Sequence, residues 1–342
     1  MRRIALVLFC AVLLALSWWR SPVPPPDNDG HVSFARLSIA GLPPPGAEMK
    51  LLDAWQLRSA GDAFGGYSTL VALDGGEHFL SASDRGRELR FRDPSLGDPQ
   101  ARMGYFVARG GADKLDVDVE GLTRDPASGT IWASYEQTNR IVRIGPDAGA
   151  LQAIAPPAMR HWPSNSGPEA ILHLADGRFL VLEEAQGEWW SRRPGAGLLF
   201  PGDPVEGSRP ERFRFVAPEG FSPTDIAQLP DGRVLILLRK VVFPIPPRFA
   251  GALLLADPAE IRPGGVWTGK IVARFAPPLP VDNYEGLEIV PDEAGAVIVW
   301  IISDDNTAVT QRTLLLKLRW TPPPPEPEDA KRARDDAARP RS

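Results

Sequence analysis

One cysteine, Cys10, is all the chain has in 342 residues, and it lies in an apolar run near the N-terminus. No internal disulfide can form, so the fold must rest on core burial, which a chain of this length can supply. Phe9 before it is too bulky for the small residue that precedes a lipidated cysteine. Histidine is nearly as scarce. His31, His78, His161 and His173 form no H-x-x-x-H pair, and with no C-x-x-C the common zinc motifs are excluded. There is no G-x-S-x-G, so a serine-esterase nucleophile elbow is missing, and no G-x-G-x-x-G to cradle a nucleotide. No basic patch stands out and the net charge is −5, so nucleic acid is not expected as a partner. Long runs with the 3.6-residue apolar period of a helix are absent as well.

What remains is short β-type runs of four to eight residues, set between Gly, Pro, Asp and Asn. The 37 prolines and 32 glycines suit a chain with many tight turns. The fold class expected is all-β. At the N-terminus, Arg2-Arg3 precede an apolar run from Ile4 to Trp19, which predicts a signal peptide or N-terminal membrane anchor over residues 1–20. Residues 21–33 form a Pro-rich linker, 34–320 the folded domain, and 321–342 a disordered Pro-rich, charged tail. The protein is thus expected outside the cytoplasm, periplasmic or secreted or held at the inner membrane through residues 4–19, and as a monomer.

One unit recurs five times. Asp282-Asn283-Tyr284-Glu285-Gly286-Leu287 enters a strand, turns at Pro291-Asp292, and returns through a second strand that ends in Ser303-Asp304-Asp305-Asn306. Asp118-Val119-Glu120-Gly121-Leu122, Gly167-Pro168-Glu169-Ala170, Pro223-Thr224-Asp225-Ile226 and Gly65-Gly66-Tyr67-Ser68 open the other copies. Asp176-Gly177 and Asp231-Gly232 supply hairpin turns. Aligned on Tyr67, Glu120, Glu169, Asp225 and Glu285, the copies are roughly 50–60 residues apart, the spacing of propeller blades. The prediction is a single β-propeller with five legible blades, and a sixth could lie within Trp189–Pro218 or Phe243–Pro280. The last copy is short, so a strand from Phe34–Ile39 or Leu51–Leu57 must close the ring.

In a propeller the inner strands converge on the axis. Glu120, Glu169, Asp225 and Glu285 are then expected to form a ring of carboxylates at one mouth, backed by Asp84, Asp118, Asp282, Asn283 and Asp304. Acids brought so close repel one another unless a cation lies among them. Hard oxygen donors in a loose ring suit Ca²⁺. The expected metal ligands are Glu120, Glu169, Asp225, Glu285, Asp84, Asn283 and Asp304. Arg85 and Arg239 end second strands and could clamp an anionic group, so the expected catalytic set is Glu120, Glu169, Asp225, Glu285, Arg85 and Arg239. An Asp or Glu at such a turn can equally lock neighbouring backbone N–H groups. His161, in the loop leading to Glu169, is the one histidine that could approach the mouth.

The ordered set of motifs resembles the phytase-like family of exported bacterial proteins, labelled for an esterase-like activity of phytase. Its pieces are Phe64-Gly65-Gly66-Tyr67-Ser68, Ser83-Asp84-Arg85-Gly86, Asp118-Val119-Glu120-Gly121-Leu122 with Glu136, Asn165-Ser166-Gly167-Pro168-Glu169 and Pro223-Thr224-Asp225. The series ends with Asp282-Asn283-Tyr284-Glu285-Gly286-Leu287 and Ser303-Asp304-Asp305-Asn306. The resemblance implies a β-propeller and a hydrolase of a phosphoester or related ester, with a small-molecule substrate. Arg239-Lys240 departs from it, standing where an acidic strand end is expected. Two alternatives stay open: a non-catalytic propeller binding a ligand or protein, and a Ca²⁺-dependent lactonase-like hydrolase.

Overall fold

The computed structural model describes residue 9 and residues 30–61, 63–106, 118–146, 151–184, 194–218, 220–242 and 248–327. Nearly all of residues 1–20, expected to be a signal peptide or anchor, and the tail beyond residue 327 lie outside the described residues. Among the described residues no helix is long and apolar enough to cross a membrane.

The chain begins with β1 (Val32–Arg36) and β2 (Met49–Ser59), then builds four blades in order. The first holds β3 (Val71–Leu73), β4 (His78–Ala82), β5 (Arg87–Arg92) and β6 (Arg102–Tyr105). In the second are β7 (Val119–Arg124), β8 (Ile131–Tyr135), β9 (Arg140–Ile144) and β10 (Leu151–Ile154). The third has β11 (Pro168–His173), β12 (Phe179–Glu183), β13 (Gly195–Phe200) and β14 (Glu211–Phe215). The fourth has β15 (Ser222–Gln228), β16 (Val234–Val242), β17 (Arg248–Ala256) and β19 (Lys270–Phe275). Between its last two strands the chain leaves to add β18 (Val266–Trp267) in parallel to β14. The fifth blade is β20 (Asn283–Pro291), β21 (Val297–Asp304) and β22 (Thr313–Trp320), completed by β2 and then β1.

The ring therefore has five blades, each an antiparallel meander from an inner strand outward. Both of the expected closing strands are used. Met49 pairs with Trp320 and Leu57 with Thr313, so β2 covers the edge that β22 would otherwise expose. The segments that could have hidden a sixth blade contribute the outer strands of the third and fourth. Turn chemistry follows the sequence: Asp176 and Asp231 accept from the backbone N–H two residues on, at 3.1 and 3.0 Å. Gly177 and Gly232 take φ of 86° and 90°, which only glycine adopts at no steric cost.

Among the described residues the core is divided between the blades. The buried apolar side chains fall into five clusters, one at each interface between neighbouring blades. Trp300 anchors the closing interface. It stacks on Trp55 (6.0 Å between centroids) and packs on Phe79 of the first blade at 4.8 Å. Polar locks add to this packing. Glu288 Oε2 accepts from Ala72 N at 2.6 Å, joining fifth to first blade, and Thr123 Oγ1 accepts from His173 N at 2.9 Å, joining second to third. Near the axis the blades come closer than a methyl group allows. A Cβ on Gly121 would lie 2.8 Å from the Glu169 carbonyl oxygen, and one on Gly286 2.7 Å from the Thr69 carbonyl carbon. That explains why glycine follows Glu120 and Glu285.

Candidate functional site

Four of the five inner strands slip register by one residue near their entry. The pairings break between Val119 and Gly121, Pro168 and Ala170, Pro223 and Asp225, and Tyr284 and Gly286. A bulge re-aims the extra side chain, and here the extra residues are Glu120, Glu169, Thr224 and Glu285. In the first blade the Tyr67–Ser83 bridge puts Ser68 at the same place. So the equivalent of the three glutamates in the fourth blade is Thr224 and not Asp225. Thr224 and Ser68 each hand their hydroxyl to the next blade, Thr224 to the Tyr284 carbonyl (3.1 Å) and Ser68 to that of Val119 (2.7 Å). Asp225, one residue on, faces between blades. Its Oδ1 accepts from Ile226 N at 2.8 Å and its Oδ2 from Leu287 N at 2.7 Å. Expected in the carboxylate ring, it is here an inter-blade lock.

A second ring comes from the ends of the second strands. Asp84, Glu136 and Glu184 donate their backbone N–H groups to Gly66, Asp118 and Gly167, and in the same register Arg239 faces Ser222 and Asp304 faces Asn283. Four of these five places are acidic and one is arginine. Together with Asp118, the two rings bring eight carboxylates to the mouth where the half-buried Arg239 guanidinium lies.

Arg239 ties three of these residues together. One terminal nitrogen donates to Asn283 Oδ1 and Glu285 Oε1, both at 2.8 Å, and the other to Glu184 Oε1 at 2.7 Å. Asn283 Nδ2 donates to the same Glu285 oxygen at 2.6 Å. Burial works against the Arg239 charge, but Glu285, Glu184 and Glu169 overcome it and hold the group protonated above the ordinary arginine range. It is therefore a counter-ion within the ring, with three of its five N–H donors given to Asn283, Glu285 and Glu184. Arg85 differs: it lies at the rim, half-exposed, bonded to Thr307 Oγ1 at 2.7 Å and 3.9 Å from Asp84.

The acids are costly to ionise. Burial, then the charges of Glu169, Glu285 and Asp118, push Glu120 well above the usual carboxylate range. Burial and Glu184 do the same to Glu169, although Arg239 opposes them. Glu136 rises to about 7 through burial and the charge of Asp118. Burial takes Glu285 to about 7 even with Arg239 and Asn283 pulling it down, and Asp84 to about 6. Asp304 is raised by burial and by Glu285 and Asp84.

Two groups of side chains have the geometry to hold a metal ion. Oxygens of Asp118, Glu120 and Glu136 lie within 4.8 Å of one another, as do oxygens of Glu136, Glu169 and Glu184. Glu169 is the most buried member of these groups, 6% exposed, with the charge of Arg239 acting on it. A half-buried all-oxygen set fits a hard cation. Of the residues expected as ligands, Glu120 and Glu169 are in these groups. Glu285 and Asn283 instead hold Arg239, while Asp84 and Asp304 stand on the first and fifth blades outside both triads. Asp282 is tied down by the backbone of Asn283 and Arg312. His161 is exposed and accepts from Arg160. Asp118, Glu136 and Glu184 were missing from the expected ligands. Aligning the second-strand ends, and not only the inner-strand motif, would have found the last two.

Fold and mouth define a class: a five-bladed propeller whose inner and second strands deliver acids able to hold a metal ion at the axis. The chain belongs to the phytase-like family, described by an esterase-like activity of phytase, whose sequence model matches residues 62–307. No curated protein matches it. Among solved structures it is similar to the propeller domain of Cps50 (Swd1) from Myceliophteria thermophila, at 11% identity and a TM-score of 0.39, covering 80% of this chain and 100% of that one. A nidogen/laminin complex gives 12% identity and a TM-score of 0.43 over 83% and 95% of the two chains. Hydrazine synthase of Kuenenia stuttgartiensis gives 12% and 0.37, covering 71% of this chain, which spans 57% of that protein's length. These likenesses carry no argument about chemistry.

Proposed function

We propose that the protein is an exported, calcium-assisted hydrolase of an anionic phosphoester or related ester, acting at the acidic mouth of the propeller. One observation carries the reading: four of the five blades deliver eight carboxylates to one place, and the fourth blade sets Arg239 among them. Asp118, Glu120, Glu136, Glu169 and Glu184, from the second and third blades, would hold the cation. Calcium, available outside the cytoplasm, would draw in a phosphate or carbonyl oxygen and ease ionisation of a nearby water. The chain's own contribution is positioning. Arg239 and Asn283 fix Glu285 through a single oxygen, Oε1, and its raised pKa suits a group that takes a proton from water. Arg85, at the rim, is placed to meet the anionic group of the substrate.

The second reading, a propeller that binds a ligand without turnover, is favoured by the ion pairs of Arg239 with Glu285 and Glu184, which make it a counter-ion of the ring. Assays with aryl phosphate, phytate, aryl esters and lactones, in calcium and in chelator, separate the two. Turnover of any of them that needs calcium and is lost in Glu285→Gln, with cation binding retained, supports the hydrolase. Turnover of a lactone alone supports the lactonase-like alternative. No turnover by a protein that binds calcium leaves the binding reading.

A further inference from the structure

We propose that the mouth face of the propeller lies against an anionic lipid bilayer, with the long hairpin of the fourth blade entering the headgroup layer. The inference does not depend on the reaction, if any, that the mouth performs.

Strand register shows the face from which the N-terminal segment leaves. β20 starts at the mouth with Asn283, and the strands of that blade then alternate in direction. Thr313 starts β22 at the mouth, Leu57 pairs with Thr313, and Val32 pairs with Ser59 just beyond. The chain before β1, which includes the apolar residues 4–19, therefore joins the propeller on the mouth side. Residues 20–31 can span at most about 40 Å when fully extended. A membrane holding residues 4–19 meets this face first.

The fourth blade reaches out on the same side. β4, β8 and β12 have five residues each, whereas β16 and β17 have nine. Past Arg239 and Gly251, at the level of the mouth, Lys240 pairs with Ala250, Val241 with Phe249 and Val242 with Arg248. These further pairs carry the ribbon about 10 Å beyond the ring. Val241 is 46% exposed, and Phe249 opposite it and Phe221 at the base are half-buried. Strand alternation puts Lys240 and Arg248 on the other side of the ribbon. Lys240 and Arg274 lie 5.7 and 5.9 Å from the centre of the Phe221 ring. Apolar side chains with cations beside them match the boundary between acyl chains and lipid phosphates. Tyr105, with Arg87 over its ring at 4.0 Å, and the exposed Val309 stand on the same face of the first and fifth blades. Blades four, five and one are consecutive round the ring, and the N-terminal segment leaves from the fifth.

Charge separates the two faces. Arg58, Arg85, Arg160 and Arg248 are exposed on the mouth side, while the exposed acids Asp74, Asp176, Asp231 and Glu293 lie in turns of the opposite one. The mouth's own acids are buried or half-buried, with Arg239 among them, so lipid phosphates meet the basic rim first.

The test uses the full chain carrying Cys10→Ser, in vesicles of phosphatidylcholine alone or mixed with phosphatidylglycerol in equal parts. A nitroxide is attached at Val241→Cys or, on the opposite face, at Glu293→Cys, and its collisions with aqueous nickel are measured. On mixed vesicles the label at 241 should meet nickel about fivefold less often than that at 293, a preference that one cation held at an anionic surface supplies. Lys240→Glu combined with Arg248→Glu should restore nickel access at 241 while the chain still floats with the vesicles. Circular dichroism melting checks that this variant is folded, and high salt on the unaltered rim replaces it if it is not. Equal access at 241 and 293 overturns the proposal, as does a chain that floats with neither kind of vesicle. Shielding of 241 that grows with protein concentration in the absence of vesicles marks a contact between copies and overturns it too. Shielding indifferent to lipid charge, to salt and to the double variant removes the anionic surface and overturns it as well.

Discussion

Asp225 offers the sharpest contrast between a ring ligand and a blade lock. Asp225→Ala removes both oxygens that hold Ile226 N and Leu287 N, at 2.8 and 2.7 Å, in a place 1% exposed to solvent. Each buried amide left without an acceptor costs about 1–3 kcal/mol, so the pair costs about 2–6 kcal/mol. Part of that is returned at neutral pH. Burial raises the Asp225 pKa well above its ordinary value, so the folded protein carries a strained carboxylate that alanine removes. The net loss is smaller than that gross cost and still a large share of the stability of an ordinary domain. Urea unfolding by fluorescence should show the midpoint fall at unchanged slope. Calcium titration of the same variant, below its melting temperature, should give unchanged stoichiometry, because the charge nearest Asp225 is Glu288 and not a member of either triad. A variant of native stability that loses calcium would refute the argument and return Asp225 to the metal site.

Stripped of metal, the protein should be more stable near pH 5 than near pH 8. Asp84 at about 6 and Glu136, Glu285 and Glu288 at about 7 all lie above their unfolded values, so the native state holds more protons between roughly pH 4.5 and 7 and loses stability as pH rises through that window. Surface acids with lowered pKa, such as Asp125 and Asp176, act in the opposite sense only below about pH 4. Melting temperatures in chelator at pH 5, 6.5 and 8 check this, and a melting temperature that climbs with pH contradicts it. Gly286→Ala puts a methyl 2.6 Å from Ile302 Cγ2 and 2.7 Å from the Thr69 carbonyl carbon, and should cost about 1–3 kcal/mol or more in urea unfolding. Gly121→Ala presses on the Glu169 carbonyl oxygen at 2.8 Å, so it should weaken calcium binding as well as stability in the same titration. Deleting residues 1–60 removes β1 and β2 and leaves β22 as an open edge. That chain should lose cooperative melting and aggregate, and a monomeric, cooperatively folding deletion would show that closure is dispensable.

Much of this was legible in the chain itself. Turn residues such as Asp176-Gly177 act within a few positions, so the hairpins, the five copies and the all-β class could be read locally. The short last copy required a closing strand, and Glu120-Gly121 and Glu285-Gly286 marked the approach to the axis. What the chain could not show was register. One bulged residue in β15 turns Thr224 to the mouth and sends Asp225 between blades, and nothing local in Pro223-Thr224-Asp225 distinguishes the two outcomes. Nor could it pair residues far apart in sequence. Glu136 joins Glu169 and Glu184 across a blade interface, and Arg239 meets Glu184 and Glu285 from two other blades. A basic strand end that looked like an exception becomes the ring's own counter-ion once those charges surround it. Periodicity belongs to the sequence because turns and strand alternation are local. The composition of the mouth belongs to the tertiary structure, because it depends on which side chains a closed ring brings within a few ångströms.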